Sequence, residues 1–180
     1  MKNTKTKNMV VCALMAAVMC VISPFTIPIG PIPVSLGVLG VLLTAVILGF
    51  KQGTIATAVY LLLGLAGLPV FTGFRGGLAV FAGPTGGYAY SFILMALLTG
   101  FVSDKLIHSK AAIRYGGVFA ACAVSAVICD TLGTIHYMAI AGADLQYALA
   151  VCFYPFIPID ILKGAVATIL GLKVRSILRR

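Results

Sequence analysis

Glutamate is absent from this 180-residue chain, and aspartate supplies all four acidic residues. Only 9% of the residues are charged against 61% hydrophobic, with a mean hydropathy of +1.13. Soluble domains carry roughly a quarter charged residues, so this composition excludes that class and leaves a membrane protein. Catalytic signatures are missing as well. There is no HExxH, no pair of Asp residues at three- or four-residue spacing, no nucleophile elbow and no ATP-binding loop. These absences argue against an enzyme, and they assign any ATP hydrolysis to partner subunits. Cys12, Cys20, Cys122, Cys129 and Cys152 include no CxxC pair and fall in apolar stretches, where they read as small apolar residues. Neither a metal nor a cofactor is expected.

Long apolar runs fill most of the chain. Charge, Pro and Gly divide them into six spans, at about 9–23, 34–50, 53–67, 87–103, 112–129 and 148–174. With the N-terminus in the cytoplasm, the inside segments hold Lys2, Lys5, Lys7, Lys51, Lys105, Lys110, Arg114, Lys173, Arg175, Arg179 and Arg180, eleven of the thirteen basic residues. The positive-inside rule therefore selects an all-α bundle of six transmembrane helices with both ends cytoplasmic, forming one membrane-embedded domain over residues 1–180. The net charge of +9 is then topological. Nucleic acid is not expected as a partner, because the basic residues are dispersed over short turns with no interleaved aromatics. The basic, apolar start is read as a retained first helix rather than a cleaved signal, since no small-x-small site precedes Ser23-Pro24.

Two charges stand inside the last span. Asp160 and Lys163 are three positions apart and share one helix face. Placing either near the centre of a bilayer costs roughly 2.5–3.5 kcal/mol on insertion scales, so they should face each other, a cavity or a ligand. The outside connections are also unusual. Residues 23–34 carry four prolines and no charge, so the segment must be extended or turning yet apolar, suited to covering a pocket. Residues 67–88 combine seven glycines with Phe71, Phe74 and Phe81 and a single Arg75, a composition that allows a loop to fold back over a small molecule.

The run Gly67-Leu68-Pro69-Val70-Phe71, then Arg75-Gly76-Gly77, Gly83-Pro84-Thr85-Gly86-Gly87-Tyr88, and finally Pro155-Phe156-Ile157-Pro158 with Asp160 and Lys163 closely resembles the BioY family. These are the biotin-specific S components of energy-coupling factor transporters. The resemblance covers nearly the whole chain. It implies a subunit of a prokaryotic cell membrane that captures biotin from outside and passes it to a transmembrane T component driven by two ATPase subunits. It also implies that Ala13 and Ala17, small residues four apart on the first helix, dock against the T component, as close helix approach in lipid requires. Family members commonly carry a Thr-Leu-Gln-like run at the start of helix two, where this chain has Ser35-Leu36-Gly37; Ser35 is the remaining polar candidate there.

Biotin has a ureido ring with two N–H donors and one carbonyl, an apolar thioether ring and valeryl chain, and a carboxylate. Asp160 suits the ureido N–H groups, and Lys163 suits either the ureido carbonyl or the carboxylate. Arg75 is the other candidate for the carboxylate. Tyr88, Thr85 and backbone N–H groups near Gly86 can add hydrogen bonds, while Phe74, Phe81, Phe153 and Tyr154 can pack on the rings. The site is expected near the outer surface between spans four, five and six. Asp130, His136 and Tyr137 are read as structural or rim groups, and His108 as exposed. A channel or stand-alone facilitator is the rival function, predicting flux without any ATPase; an S component for another vitamin or a biotin precursor is the nearer alternative.

Overall fold

The structure, a computed structural model, describes residues 2–27 and 32–178, with side chains from Thr6 onward. In chain order its elements are α1 (Lys2–Ile22), β1 (Thr26–Ile27), β2 (Val34–Ser35), α2 (Gly37–Leu48), α3 (Phe50–Leu65), α4 (Leu78–Ala82), α5 (Gly86–Lys105), α6 (Ala111–Ala141), α7 (Leu145–Cys152) and α8 (Phe156–Leu178). The six longer helices correspond to the six expected spans. By length and composition α5, α6 and the stretch Leu145–Leu178 are apolar and long enough to cross a bilayer, and Thr6–Ile22, α2 and α3 are shorter apolar helices.

α2 occupies the centre. Its sequence is apolar all round, so no face prefers water, and nine of its residues are buried, chiefly against α8, α5 and α3. At twelve residues it is about 18 Å long, shorter than the ~30 Å hydrocarbon core. Its start falls at Gly37 rather than at the expected residue 34 because Val34 and Ser35 leave the helical path and pair antiparallel with Ile27 and Thr26. This ribbon is the extended structure that a proline-rich apolar segment requires. Its central residues, 28–31, lie outside the described ones.

The fifth and sixth spans also depart from the boundaries expected from sequence. The fifth span was expected to end at residue 129, before Asp130, but α6 continues to Ala141, and Gly142 ends it in the left-handed conformation (φ 62°). Asp130 is not a boundary charge; it is buried inside the bundle. The sixth span divides into α7 and α8. Pro155 has no N–H with which to continue a helix from α7, whereas Pro158 is tolerated in the first turn of α8, where that N–H would have no helical partner. Asp144 caps α7, accepting from the Gln146 N–H at 3.1 Å.

The ends expected inside gather at one side of the bundle. Arg175 of α8, almost fully buried, donates to the Val46 carbonyl of α2 at 3.0 Å and to the Ser103 hydroxyl of α5 at 2.6 Å, and it pairs with Asp104. Asp104 also accepts from the Phe50 N–H at 2.8 Å, which holds the tight α2–α3 turn. Lys7 donates to the Leu178 carbonyl at 2.8 Å, joining the first and last helices. Arg179, Arg180 and the side chains of Lys2 and Lys5, part of the same expectation, lie outside the described residues.

Candidate functional site

At the opposite side, the two long connections fold together over the bundle. The Gly73 N–H donates to the Pro24 carbonyl at 3.1 Å, and the Phe25 and Phe74 rings meet edge to face at 5.7 Å. Phe71 and Arg75 exchange backbone hydrogen bonds of 2.9 and 3.3 Å across a tight turn. Positive φ at Gly73 and Phe74 closes that turn. It turns Phe71 inward, where its ring lies so close over Gly64 of α3 that a side chain there would collide with it. Phe71 then meets Tyr60 at 5.6 Å and Phe81 at 5.4 Å, both edge to face.

Beneath this cover lies a small cavity of about 40 Å³. Ile32, Pro33 and Ser35 line it from the first connection, Phe71, Thr72 and Val80 from the second. Val38 of α2, Tyr60 of α3, Thr85 at the head of α5, Tyr88, Ala89 and Phe92 of α5, and Phe156 and Lys163 of α8 complete the wall. The lining is mostly apolar and aromatic with a few polar groups, the character of small-molecule sites. Lys163 is its charged member. The Lys163 Nζ donates to the Asp160 Oδ1 at 2.5 Å, one turn back on the same helix face, and Asp160 sits behind it, almost fully buried.

Four of the residues read from the sequence therefore share the wall: Lys163, Tyr88, Thr85 and Ser35. Tyr88 contributes its ring rather than a free donor. Its hydroxyl already donates to the Cys152 carbonyl of α7 at 3.0 Å, and its ring stacks on Phe156 at 5.8 Å. The Ser35 hydroxyl accepts from the Gly37 N–H at 3.2 Å, leaving its own O–H to donate. Gly86 is buried beside the wall without lining it; a Cβ there would strike the Phe81 carbonyl and His136. Asp160 reaches the cavity through Lys163.

Arg75, Phe74 and Tyr154 are not in the lining. Arg75 is exposed at the outer rim. Phe74 is 61% exposed because the turn that buries Phe71 turns its neighbour outward, and Tyr154 is 62% exposed because Phe156 takes the inward position after the helix break. Phe81 and Phe153 do not line the cavity either, although Phe81 meets the wall residue Phe71. Spans two and three enter the wall where the sequence reading named four, five and six; α6 backs the site instead of lining it. Tyr60, Phe71, Phe92 and Phe156 are aromatic wall residues that carry no site assignment from the sequence. Phe71 and Phe156 lie within its recognised motifs, but Tyr60 and Phe92 sit in apolar helices with no local signal. His136 bridges α6 to the second connection, its Nε2 3.0 Å from the Gly83 carbonyl, and His108 is exposed.

Comparison with known proteins accounts for the whole chain. The family model described as BioY family matches residues 1–180. The biotin transporter BioY2 of Lactococcus lactis subsp. cremoris (strain MG1363) is 37% identical over 174 residues, covering 96% of this chain and 92% of that protein. The biotin transporter BioY of Thermotoga maritima is 36% identical over 176 residues, covering 95% and 97%. A crystal structure of the S-component for biotin from an ECF-type ABC transporter superposes with a TM-score of 0.90 at 30% identity, over 98% of this chain and 94% of that one. The helical fold is thus shared from end to end, and this chain belongs to the BioY family.

Proposed function

We propose that this protein is the high-affinity biotin-binding S component of an energy-coupling factor transporter in a prokaryotic cell membrane. It takes biotin from outside and delivers it through a transmembrane T component and two ATPase subunits. The observation that carries this reading is the Lys163–Asp160 pair, placed at a largely apolar and aromatic cavity under two interlocked outer connections. The names of the relatives point the same way.

Lys163 presents N–H donors to an acceptor oxygen of the ligand, the ureido carbonyl or the carboxylate. Asp160 keeps the ammonium paired in the membrane interior and can accept a ureido N–H once the ligand shifts Lys163. The Tyr60, Phe71, Phe92 and Phe156 rings cover the thioether ring and valeryl chain. Thr85, Ser35 and Thr72 supply neutral hydrogen bonds, and Arg75 at the rim attracts the anion during entry. Binding requires the two connections to lift and reclose, which ties occupancy to their position. Ala13 and Ala17 are exposed on α1, on the side away from the cavity wall, and form the face for the T component. Biotin is cargo in this reading; the protein itself uses no cofactor and is not an enzyme.

Equilibrium binding of biotin to the purified chain in detergent, with desthiobiotin, thiamine and riboflavin as competitors, tests the reading. Nanomolar binding displaced only by biotin-like molecules is expected. No binding to a well-folded sample, or displacement by thiamine or riboflavin, overturns it.

A further inference from the structure

Three buried carboxyl oxygens lie together between α6 and α8 with no donor among the described residues to meet them: both oxygens of Asp130 and the Oδ2 of Asp160. Asp130 is 0% exposed, and its carboxyl faces that of Asp160. Lys163 is the cation at this point, and its bond goes to the other Asp160 oxygen. Among the described residues, the remaining titratable groups that face Asp130 are Tyr88 of α5 and Cys129 beside it on α6, and neither supplies positive charge.

Two ionised carboxylates cannot satisfy each other. Both are acceptors only, like charges at this separation repel, and together with one ammonium they would leave a net negative charge inside the bilayer. A single proton removes all three difficulties. It makes Asp130 a donor, gives Asp160 Oδ2 its missing partner and leaves the group Asp130, Asp160 and Lys163 electrically neutral.

We propose that Asp130 carries a proton and donates it as a hydrogen bond to Asp160 Oδ2, acting as a positioning residue that fixes Asp160 and, through it, the Lys163 ammonium at the cavity wall. Asp130 does not line the cavity. Its influence on a ligand is exerted through Asp160, and in that respect the proposal rests on the binding reading above. The neutral acid also explains how α6 carries an aspartate through the membrane interior without a cation of its own.

The test uses the full chain with Asp130→Asn and Asp130→Leu, each checked for monodispersity. Infrared difference spectra of parent against Asp130→Asn, without ligand, should show the carbonyl stretch of a protonated carboxylic acid in the parent and not in the variant. Biotin affinity should survive in Asp130→Asn, whose amide N–H donates the same bond. It should fall in Asp130→Leu by about tenfold or more, the worth of one hydrogen bond to a charged group. Absence of the protonated band in the parent overturns the proposal, as does loss of binding in Asp130→Asn equal to that in Asp130→Leu. A parent that binds no biotin refutes the binding reading instead, and the infrared result then decides the state of Asp130 alone.

Discussion

An ammonium in the middle of a membrane helix persists only because its neighbour shares its face. Lys163 and Asp160 neutralise each other within one turn, so the pair can sit at an apolar wall, yet neither tolerates loss of the other. Asp160→Asn and Lys163→Met should each weaken biotin binding by about 2–5 kcal/mol, roughly 30-fold or more, since each removes one ligand contact or its support and strands the remaining charge. Titration of monodisperse protein measures this. The double variant, with no charge left unpaired, should recover the thermal stability that the single variants lose but not the affinity. Parent-like binding in both folded single variants would remove the pair from the site.

Helices and connections here are held by contacts that cross between them at the outer end. Tyr88 of α5 is the clearest case, with its ring stacked on α8 and its hydroxyl bonded to the last carbonyl of α7. Tyr88→Phe keeps the ring and deletes the bond, leaving a buried carbonyl unsatisfied at a cost of about 1–3 kcal/mol. Faster amide exchange across Leu145–Cys152 and a lower Tm are the expected results, with biotin affinity changed much less than by the Lys163 variant. Exchange in α7 identical to the parent would show that α7 is held by its own packing, by Ala148 and Cys152 in the core.

At the scale of the molecule the two ends are built for different work. The inner end is tied by Arg175, Asp104 and Lys7 across α1, α2, α3, α5 and α8, whereas the outer end closes through backbone bonds and ring contacts between connections. A rigid base with a lid that can open suits a subunit that captures a ligand and then presents a constant face to a partner. Ala13 and Ala17, the proposed docking residues, predict a separation of functions. Ala13→Leu and Ala17→Leu should leave biotin binding within about twofold of the parent, because both side chains are exposed and outside the cavity lining, while abolishing uptake when the chain is combined with the T component and ATPases proposed above. Unimpaired uptake by both variants would place the docking face elsewhere.

Composition and the distribution of Lys and Arg were enough for the membrane class, the six helices and the shared side of their basic ends, because insertion energies act on each segment almost independently. The Asp160–Lys163 pair was legible for the same reason: two charges three residues apart on one helix meet whatever the rest of the chain does. Motif recognition brought out Thr85 and Tyr88, but not what they face. Which aromatic turns inward, Phe71 over Phe74 and Phe156 over Tyr154, depends on a positive φ and a helix break whose side-chain consequences only packing reveals. The meeting of Asp130 with Asp160, thirty residues downstream, was invisible for a deeper reason. No local pattern relates two residues on different helices, and an aspartate that follows an apolar run reads as the polar end of a span. Local chemistry and insertion cost determined what this chain is made of; the register of α6 against α8, decided by close packing across the whole bundle, determined which charges share a site.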